Sequence, residues 1–307
     1  MVGRVTQSML NMNLLKNLNG NLSRLSTYSE QMSSLRKINR PSDDPIGISY
    51  SLRYRSDRAA NEQYQANLDS AQSLLEFTDT MLGQLGEVIH RIRELTLQGA
   101  NSTNPDVSLQ SIKNEISQLN DHLVMIGNSS FNGKYIFNGQ LTNVKPYSET
   151  NPQDADPDVG SLTYEVGQGI YVSVNVHGKQ VFGDPVQYDV NGDPIPSDNL
   201  FQVVKDIMNA LEQSDTFALN DALGRLDSRF DKILEVRSEV GAKANRLDLA
   251  SRRLSDIDIN LQTLQSRTED VDMAALIVNL KTAENAYQAS LSAGARIIQT
   301  SLMDFLR

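Results

Sequence analysis

The sequence contains no cysteine and no tryptophan, and it has only three histidines among its 307 residues. Without cysteine, disulfide bonds, thiolate nucleophiles and cysteine-based zinc sites are excluded. No apolar run is long enough to span a membrane, and the N-terminal segment lacks the apolar core and small-residue cleavage site of a signal peptide. The sequence therefore predicts no membrane insertion and, if the chain leaves the cell, export without a cleaved signal peptide.

Positive charge is scarce as well, since 28 Lys and Arg stand against 38 Asp and Glu and give a net charge of -10. Such a chain repels a phosphate backbone, so we predict no nucleic-acid partner. The histidines, at His90, His122 and His177, lack the His-Glu-x-x-His spacing of zinc peptidases. We interpret them as solvated or capping residues.

One acidic segment imitates a calcium-binding loop, because Asp154, Asp156 and Asp158 are followed at the twelfth position by Glu165. Val159 occupies the position where the turn needs glycine, so we interpret the segment as an acidic surface loop. Gly-rich phosphate loops are absent, and no catalytic triad is indicated by spacing. The sequence thus predicts no catalytic residues, no cofactor, no metal and no enzyme.

The middle of the chain differs in composition from both flanks. Between positions 141 and 200, nine acidic residues stand against two lysines, and six of the nine prolines fall there. Proline excludes helix from most of this segment. Its apolar residues alternate as in a strand with one buried face, at Ile170, Val172, Val174 and Val176. We predict an acidic, Pro-rich β insert domain at 141–199.

Both flanks show the three-to-four spacing of apolar residues that is typical of long helices. The longest runs lie at 68–92, 109–126 and 219–261. Three long amphipathic helices from both sides of an insert bury their apolar faces best in one shared bundle. We therefore predict a helical bundle domain formed by residues 41–140 and 200–267, with a short β-hairpin near 130–140.

The two ends of the chain carry further heptad-like stripes, which define terminal coiled-coil arms at 1–40 and 268–307. The predicted assembly interface consists of Leu15, Leu18, Leu22, Leu25, Met32, Met273, Ile277, Leu280, Tyr287, Leu291, Ile298 and Phe305. Two arms alone bury these stripes only in part, so we predict arms that are mobile in the monomer and helical in an assembly. Pattern alone equally allows two more helices of a closed bundle.

A proline-rich corner separates the N-terminal arm from the bundle. Pro41 and Pro45 interrupt the helix, and Ser42, Asp43 or Asp44 can cap the helix that follows. Adjacent aspartates also occur in acid/base and metal sites. We favour a helix-break and capping corner because negative charge complements the N-terminal dipole of a helix.

Five segments in a fixed order carry a more specific pattern. They lie at 31–45 (with QMSS and RPSDDP), 91–103 (RIRELTLQGANST), 128–139 (NSSFNGKYIFNG), 267–274 (RTEDVDMA) and 301–307 (SLMDFLR). This set resembles the flagellin-like axial proteins of bacterial flagella, and within them the hook-associated protein 3 branch of the hook-filament junction. The resemblance covers the chain except roughly 141–200. It implies a mainly α fold with a β-rich insert, in which both chain ends form an elongated flagellin-like helical bundle.

The resemblance also implies a function, that of a structural subunit at the hook-filament junction which self-assembles through its terminal helices. Its expected partners are copies of itself in a ring, hook-associated protein 1, flagellin, and a cytoplasmic export chaperone on the C-terminal arm. The expected location is extracellular, after export through the flagellar type III apparatus. A short flagellin is the alternative. A secreted coiled-coil binding module and an enzyme housed in the insert are the weaker alternatives from other classes.

Overall fold

The computed structural model describes residues 7–100, 106–190 and 194–305. Within them the helices are α1 Gln7–Ser34, α2 Pro45–Gly99, α3 Asp106–Gly127, α4 Gly178–Phe182, α5 Leu200–Gln213, α6 Thr216–Glu269 and α7 Met273–Phe305. The strands are β1 Ser130–Phe131, β2 Lys134–Tyr135, β3 Thr163–Gly167 and β4 Ile170–Ser173. The predicted fold class, mainly α with a β-rich insert, is confirmed. In the described part of the chain, every helix is too short or too polar to cross a membrane.

The chain divides into two compact units. The arm unit contains the chain up to Ala60 and from Asp256 onward, and the central unit is Asn61–Ser255. The arm unit therefore extends beyond the predicted arms 1–40 and 268–307, because the start of α2 and the end of α6 pair with each other. Arg58 Nε, for example, lies 3.2 Å from an Asp258 carboxylate oxygen.

The core of the central unit follows the heptad spacing of its long helices. In α2 the fully buried side chains include Leu68, Leu75, Leu82, Leu85, Ile89 and Ile92. In α3 and α6 they include Ile116, Leu123, Leu219, Leu226 and Ile233. The short helix α5 packs on α3 and buries Phe201, Val204 and Ile207. A residue every three or four positions thus faces one shared core, as an amphipathic helix requires.

The first hairpin, β1 and β2, turns at Asn132 and Gly133, whose φ angles are +52° and +75°. Two successive positive φ angles are typical of the tight turns that match strand twist. The second sheet pairs β3 with β4 in antiparallel register, and there Val172 is buried, as are Val174 and Val176 just beyond the strand. Ile170 departs from the predicted one-sided pattern, since it is 46% exposed where the chain leaves the Gly169 turn.

Within the central unit, the insert is fastened to the segment around Asn138 and Gly139. The Asn138 amide donates to the carbonyls of Leu141 and Val144, and its oxygen accepts from the Asp158 amide at 3.0 Å. Gly139 has φ +51°, and a Cβ there would lie 2.5 Å from the Asp158 carbonyl oxygen. Only glycine combines this conformation with so close an approach of two backbones.

The acidic residues of the insert are engaged in structural contacts. Asp154 accepts from the Tyr188 hydroxyl at 2.5 Å, and Asp156 forms an ion pair with Lys179. Asp158 accepts from the amides of Gln140 and Gly160, and these bonds help to hold the pKa of its carboxyl below the usual range. Each of the three aspartates in the calcium-like segment therefore holds part of the loop.

Candidate assembly interface

The two terminal helices, α1 and α7, pack against each other in antiparallel orientation. Their half-buried and buried positions recur at alternating steps of four and three residues. We call this set the inner seam: Leu14, Leu18, Asn21, Leu25 and Tyr28 of α1, and Leu276, Leu280, Ala283, Tyr287, Ser290 and Gly294 of α7. This is the spacing of a two-stranded coiled coil, in which seam positions face the partner helix.

Two contacts fix how the helices meet along the inner seam. Asn21 Nδ2 donates to Ser290 Oγ at 2.7 Å. Nearer the chain ends, Gly294 is buried under Leu14, and a Cβ at position 294 would lie 3.1 Å from a Leu14 methyl carbon. The absence of a side chain at Gly294 thus leaves the space that Leu14 occupies.

The predicted interface residues divide into two groups in the structure. Those that are half-buried within the helix pair are Leu18, Leu25, Met32, Leu280 and Tyr287. Those that stay exposed form what we call the outer stripe: Leu15, Leu22, Met273, Ile277 and Leu291, with exposed fractions from 38% to 59%. The side chains of Ile298 and Phe305 lie outside the described residues. The helix pair therefore covers one part of the predicted set and leaves the other facing outward.

Sequence reasoning missed several members of the inner seam. Leu14 starts a strict four-three-four-three series through position 28, whereas the predicted stripe mixes two neighbouring faces of α1. The spacing of apolar residues in α1 contained this signal. Asn21 and Ser290 were missed because a search for apolar residues passes over polar seam positions.

The corner between α1 and α2 contains the predicted Pro41–Pro45 segment. α1 ends at Ser34, Leu35 adopts φ +59°, and Pro45 is the first residue of α2. Asp44 Oδ1 accepts from the amides of Ile46 and Gly47 at 3.1 and 2.9 Å, which is N-capping geometry. Of the three capping candidates, Asp44 thus occupies the cap of α2.

The other residues of the corner, Pro41, Ser42 and Asp43, do not cap α2. Asp43 Oδ2 accepts from the amides of Asn39 and Arg40 at 3.1 and 2.8 Å, so it closes the loop before α2. Ser42 and Pro41 are exposed. The two adjacent aspartates therefore hold two different stretches of backbone.

A buried carboxylate, that of Glu269, joins the corner to the end of α6. Glu269 is 2% exposed and accepts hydrogen bonds from Arg55 through both of its oxygens, at 2.8 and 2.5 Å. It also accepts from the Ser51 hydroxyl, and Arg36 Nε lies 3.6 Å away. We call these four residues the Glu269 cluster. They connect α6, α2 and the loop after α1 at one point.

The backbone reinforces this junction. The Lys37 amide donates to the Glu269 carbonyl at 2.6 Å, and the Val271 amide donates to the Leu35 carbonyl at 3.3 Å. Asp272 then caps α7 by accepting from the amides of Ala274 and Ala275. Both arms therefore leave the corner from positions that are bonded to each other.

The charge state of Glu269 follows from two opposed effects. Burial alone would raise the pKa of this carboxyl, but the hydrogen bonds from Arg55 and Ser51 and the charge of Arg55 outweigh it, so the pKa lies below the usual range. The carboxylate is thus ionised at neutral pH. The helix pair thus presents an apolar contact surface, and the corner joins its two helices.

Comparison with known proteins identifies the family to which this architecture belongs. Residues 5–142 match the family model described as the bacterial flagellin N-terminal helical region, and residues 223–306 match the bacterial flagellin C-terminal helical region. Together the matches cover more than two thirds of the chain, including both arms. The chain belongs to the flagellin family. The part between the two flagellin-family matches contains most of the insert and α5.

Individual relatives come from more than one branch of the flagellin family. Flagellin of Bacillus subtilis (strain 168) is 28% identical over 279 residues, with 88% of each chain covered. Flagellar hook-associated protein 3 of Escherichia coli (strain K12) is 27% identical over 280 residues, covering 87% of this chain and 88% of that protein. A putative flagellar hook-associated protein from Vibrio parahaemolyticus has a similar structure, with a TM-score of 0.66 at 19% identity, over 74% of this chain and all of that one. At this identity the likeness concerns the fold.

Proposed function

We propose that this flagellin-family chain is a structural subunit of the bacterial flagellum at the hook-filament junction, where it self-assembles through its terminal helices. The observation that carries the proposal is the outer stripe. It places five apolar side chains on the outward side of a helix pair whose inner seam is already occupied. An exposed apolar stripe of this kind is a surface for other protein chains.

The energetics favour contact between subunits. Complete burial of one leucine contributes about 2 kcal/mol, so the stripe residues together supply a substantial driving force once neighbours cover them. The arm unit also has nearly balanced charge, with 13 Lys and Arg against 11 Asp and Glu, and copies of it can approach closely.

The expectation that the arms gain helicity on assembly belongs to the same proposal. Circular dichroism of free and assembled protein tests it, and equal helicity in both contradicts it.

The mechanism is mechanical. Outer stripes of neighbouring copies interleave to form a ring, and the Glu269 cluster fixes the corner from which both arms leave. The ring connects hook-associated protein 1 on the hook side with flagellin on the filament side. The chain reaches this extracellular position through the flagellar type III apparatus, and a cytoplasmic chaperone covers the C-terminal arm before export. The relatives named hook-associated protein 3 and the YIFNG segment at 135–139 support the junction position.

The second candidate is a short flagellin, that is, a subunit of the filament itself. The specific observation in its favour is that the match covers 88% of Bacillus subtilis flagellin and the same 88% of hook-associated protein 3 from Escherichia coli. Both candidates use the outer stripe for assembly. They differ in where the subunits stand along the flagellum.

Localisation on intact cells separates the two. An antibody against the acidic insert is labelled with gold and imaged on cells that express the chain from its own locus. A single band between hook and filament is expected for a junction subunit. Label along the whole filament would identify a flagellin, and label away from the flagellum would exclude both candidates.

A further inference from the structure

The inner seam of the arms contains one polar pair among apolar neighbours. On α1, Asn21 follows Leu18 and precedes Leu25 in the heptad series, and it is half-buried. Its partner across the helix pair is Ser290, which is also half-buried, 269 residues away in sequence. An apolar residue at either position would bury more apolar surface, so the pair has a cost in stability.

Both side-chain oxygen atoms of this pair take part in hydrogen bonds. Ser290 Oγ accepts from Asn21 Nδ2 at 2.7 Å and donates to the Ala286 carbonyl at 2.7 Å. Asn21 Oδ1 accepts from Arg24 Nη2 at 2.7 Å. The bonds to Arg24 and Ala286 each lie within one helix, so the Asn21–Ser290 bond is the one that depends on the present alignment of the two helices.

Sliding one helix along the other by one heptad disrupts the pair in either direction. Seven residues before Ser290 the sequence has Ala283, and seven residues after it has Ile297. Either slip sets the Asn21 amide against an apolar residue, and an unpaired, partly buried amide costs on the order of 1–3 kcal/mol. Apolar contacts alone would discriminate poorly, because leucines recur along both helices.

The contact between Leu14 and Gly294 acts in the same direction. Leu14 occupies the space that the missing side chain of Gly294 leaves. A slip of seven residues toward the corner would set Leu14 against Tyr287 instead, where that space is filled. Two separate contacts therefore select one alignment.

We propose that Asn21 and Ser290 are positioning residues that keep the axial register of α1 and α7 far from the corner, where backbone bonds between Leu35 and Val271 and between Lys37 and Glu269 already hold it. One register aligns the two halves of the outer stripe, Leu15 and Leu22 on α1 with Ile277 and Leu291 on α7, as one continuous docking surface. A slipped pair keeps its helices but offsets the halves by about 10 Å, which is seven residues at 1.5 Å each. This inference rests on the proposed assembly function and deepens it.

The test replaces the polar pair in the full chain and measures export, register and incorporation. Asn21→Leu combined with Ser290→Leu removes the hydrogen bond and keeps the seam apolar. We expect wild-type export and helicity but at least a tenfold fall in subunit recovered with isolated flagella. The exchanged pair, Asn21→Ser with Ser290→Asn, restores a hydrogen bond and is expected to return incorporation to within about twofold of wild type. Asn17→Leu, at an exposed position of the same helix, is the matched control.

Register is measured directly because the chain has no cysteine of its own. Leu14→Cys and Gly294→Cys are introduced together where the two helices touch, and oxidation links them within one chain as a disulfide, seen as a shifted monomer band on a non-reducing immunoblot. The double leucine variant is expected to lose this band. Wild-type incorporation and cross-linking of that variant, or failure of the exchanged pair to restore incorporation, would overturn the proposal. Normal incorporation of a charged outer stripe, Leu22→Asp, would instead contradict the assembly function itself.

Discussion

The arm unit and the central unit solve the problem of burying apolar residues in opposite ways. In the central unit, large side chains of α2, α3, α5 and α6 are fully buried in a core of their own. In the arm unit, the apolar side chains that reach full burial among the described residues are Ile38 and Leu276. The central unit is therefore complete as a single chain. The arm unit carries much of its apolar surface on the outside, where other chains can cover it.

Charge separates the two units in the same sense. The central unit has 15 Lys and Arg against 27 Asp and Glu, a net charge of -12, while the arm unit is slightly positive. Like-charged surfaces repel across water, and they favour solubility over close contact. All of the net negative charge thus lies in the unit that completes its own core. The contrast assigns assembly to the arms and exposure to water to the centre.

The largest effect on incorporation is expected when charged residues replace leucines of the outer stripe. Leu22→Asp together with Leu291→Asp places two carboxylates where neighbours must pack, and burying an unpaired charge is strongly unfavourable. We expect incorporation into flagella to fall at least tenfold, measured by immunoblot of isolated flagella. Export and the thermal unfolding of the central unit should stay unchanged.

The matched control for this variant is Leu249→Asp, which changes a leucine of the central unit that is 66% exposed. Its incorporation should stay within about threefold of wild type. Equal loss in both variants would mean that the two units share the assembly surface, and the comparison would fail.

A smaller effect is expected from the Glu269 cluster. Glu269→Ala leaves Arg55 and Ser51 without their shared partner, and it should lower the free energy of unfolding of the arm unit by about 2 kcal/mol. The cost is limited because Arg55 is partly exposed and can turn to water. Calorimetry with separate assignment of the two units measures it. Glu115→Ala removes an exposed ion pair with Arg91 in the central unit and should cost under about 1 kcal/mol.

Lowering the pH tests the same comparison between the two units, since each unit contains a carboxylate with a lowered pKa, Glu269 in the arm unit and Asp198 in the central unit. Burial would raise the pKa of Asp198 in the central unit, but the hydrogen bond from Lys232 and the charge of Arg229 outweigh it. A carboxylate with a lowered pKa stabilises the fold above its unfolded value of about 4, and this contribution is lost as pH falls through the lower folded value.

Helicity measured from pH 6 down to pH 2 should therefore fall in both units. Glu269→Gln should flatten the acid dependence of the arm unit only, and Asp198→Asn that of the central unit only. An identical acid profile for wild type and both variants would show that other groups control acid unfolding.

The smallest effect is expected inside the central core. Tyr147 is buried against the rings of Phe182 and Phe201, and its hydroxyl has no hydrogen-bond partner among the described residues. Burial raises its pKa far above the ordinary tyrosine value. Tyr147→Phe should thus change the free energy of unfolding by less than about 1 kcal/mol in a denaturant titration.

The contrasting variant at this place is Gly178→Ala. Its new Cβ would lie 2.5 Å from the Tyr147 hydroxyl oxygen and 2.7 Å from the Phe137 carbonyl oxygen. Such overpacking should cost about 1–3 kcal/mol. A large loss of stability in Tyr147→Phe would mean that the Tyr147 hydroxyl does form a hydrogen bond, which would contradict the prediction.

Much of the fold could be predicted because it depends on local periodicity. The spacing of Leu68, Leu75 and Leu82 is sufficient to indicate a buried helix face, and the proline at Pro45 marks the start of α2. The Glu269 cluster and the Asn21–Ser290 pair could not be predicted, because each joins residues more than 200 positions apart in sequence. No rule of spacing connects such residues. Only the folded chain brings them together.

The stripe predictions illustrate the same limit within a single helix. Leu15 and Leu18 fit one apolar pattern, yet the structure turns Leu18 toward α7 and Leu15 toward solvent. Successive residues of a helix are rotated by about 100°, and residues three apart therefore lie on neighbouring faces. An apolar pattern alone does not distinguish a seam from the stripe beside it. The partner helix makes that distinction.

A flagellum rotates, so a subunit of this kind must carry torque. In the Glu269 cluster, Arg55 holds the carboxylate through two parallel hydrogen bonds while the Lys37 amide holds the carbonyl of the same residue. These bonds join α2 and the loop after α1 to one residue at the end of α6. Torque that passes between the arms and the long helices of the arm unit therefore passes through this one hydrogen-bonded corner.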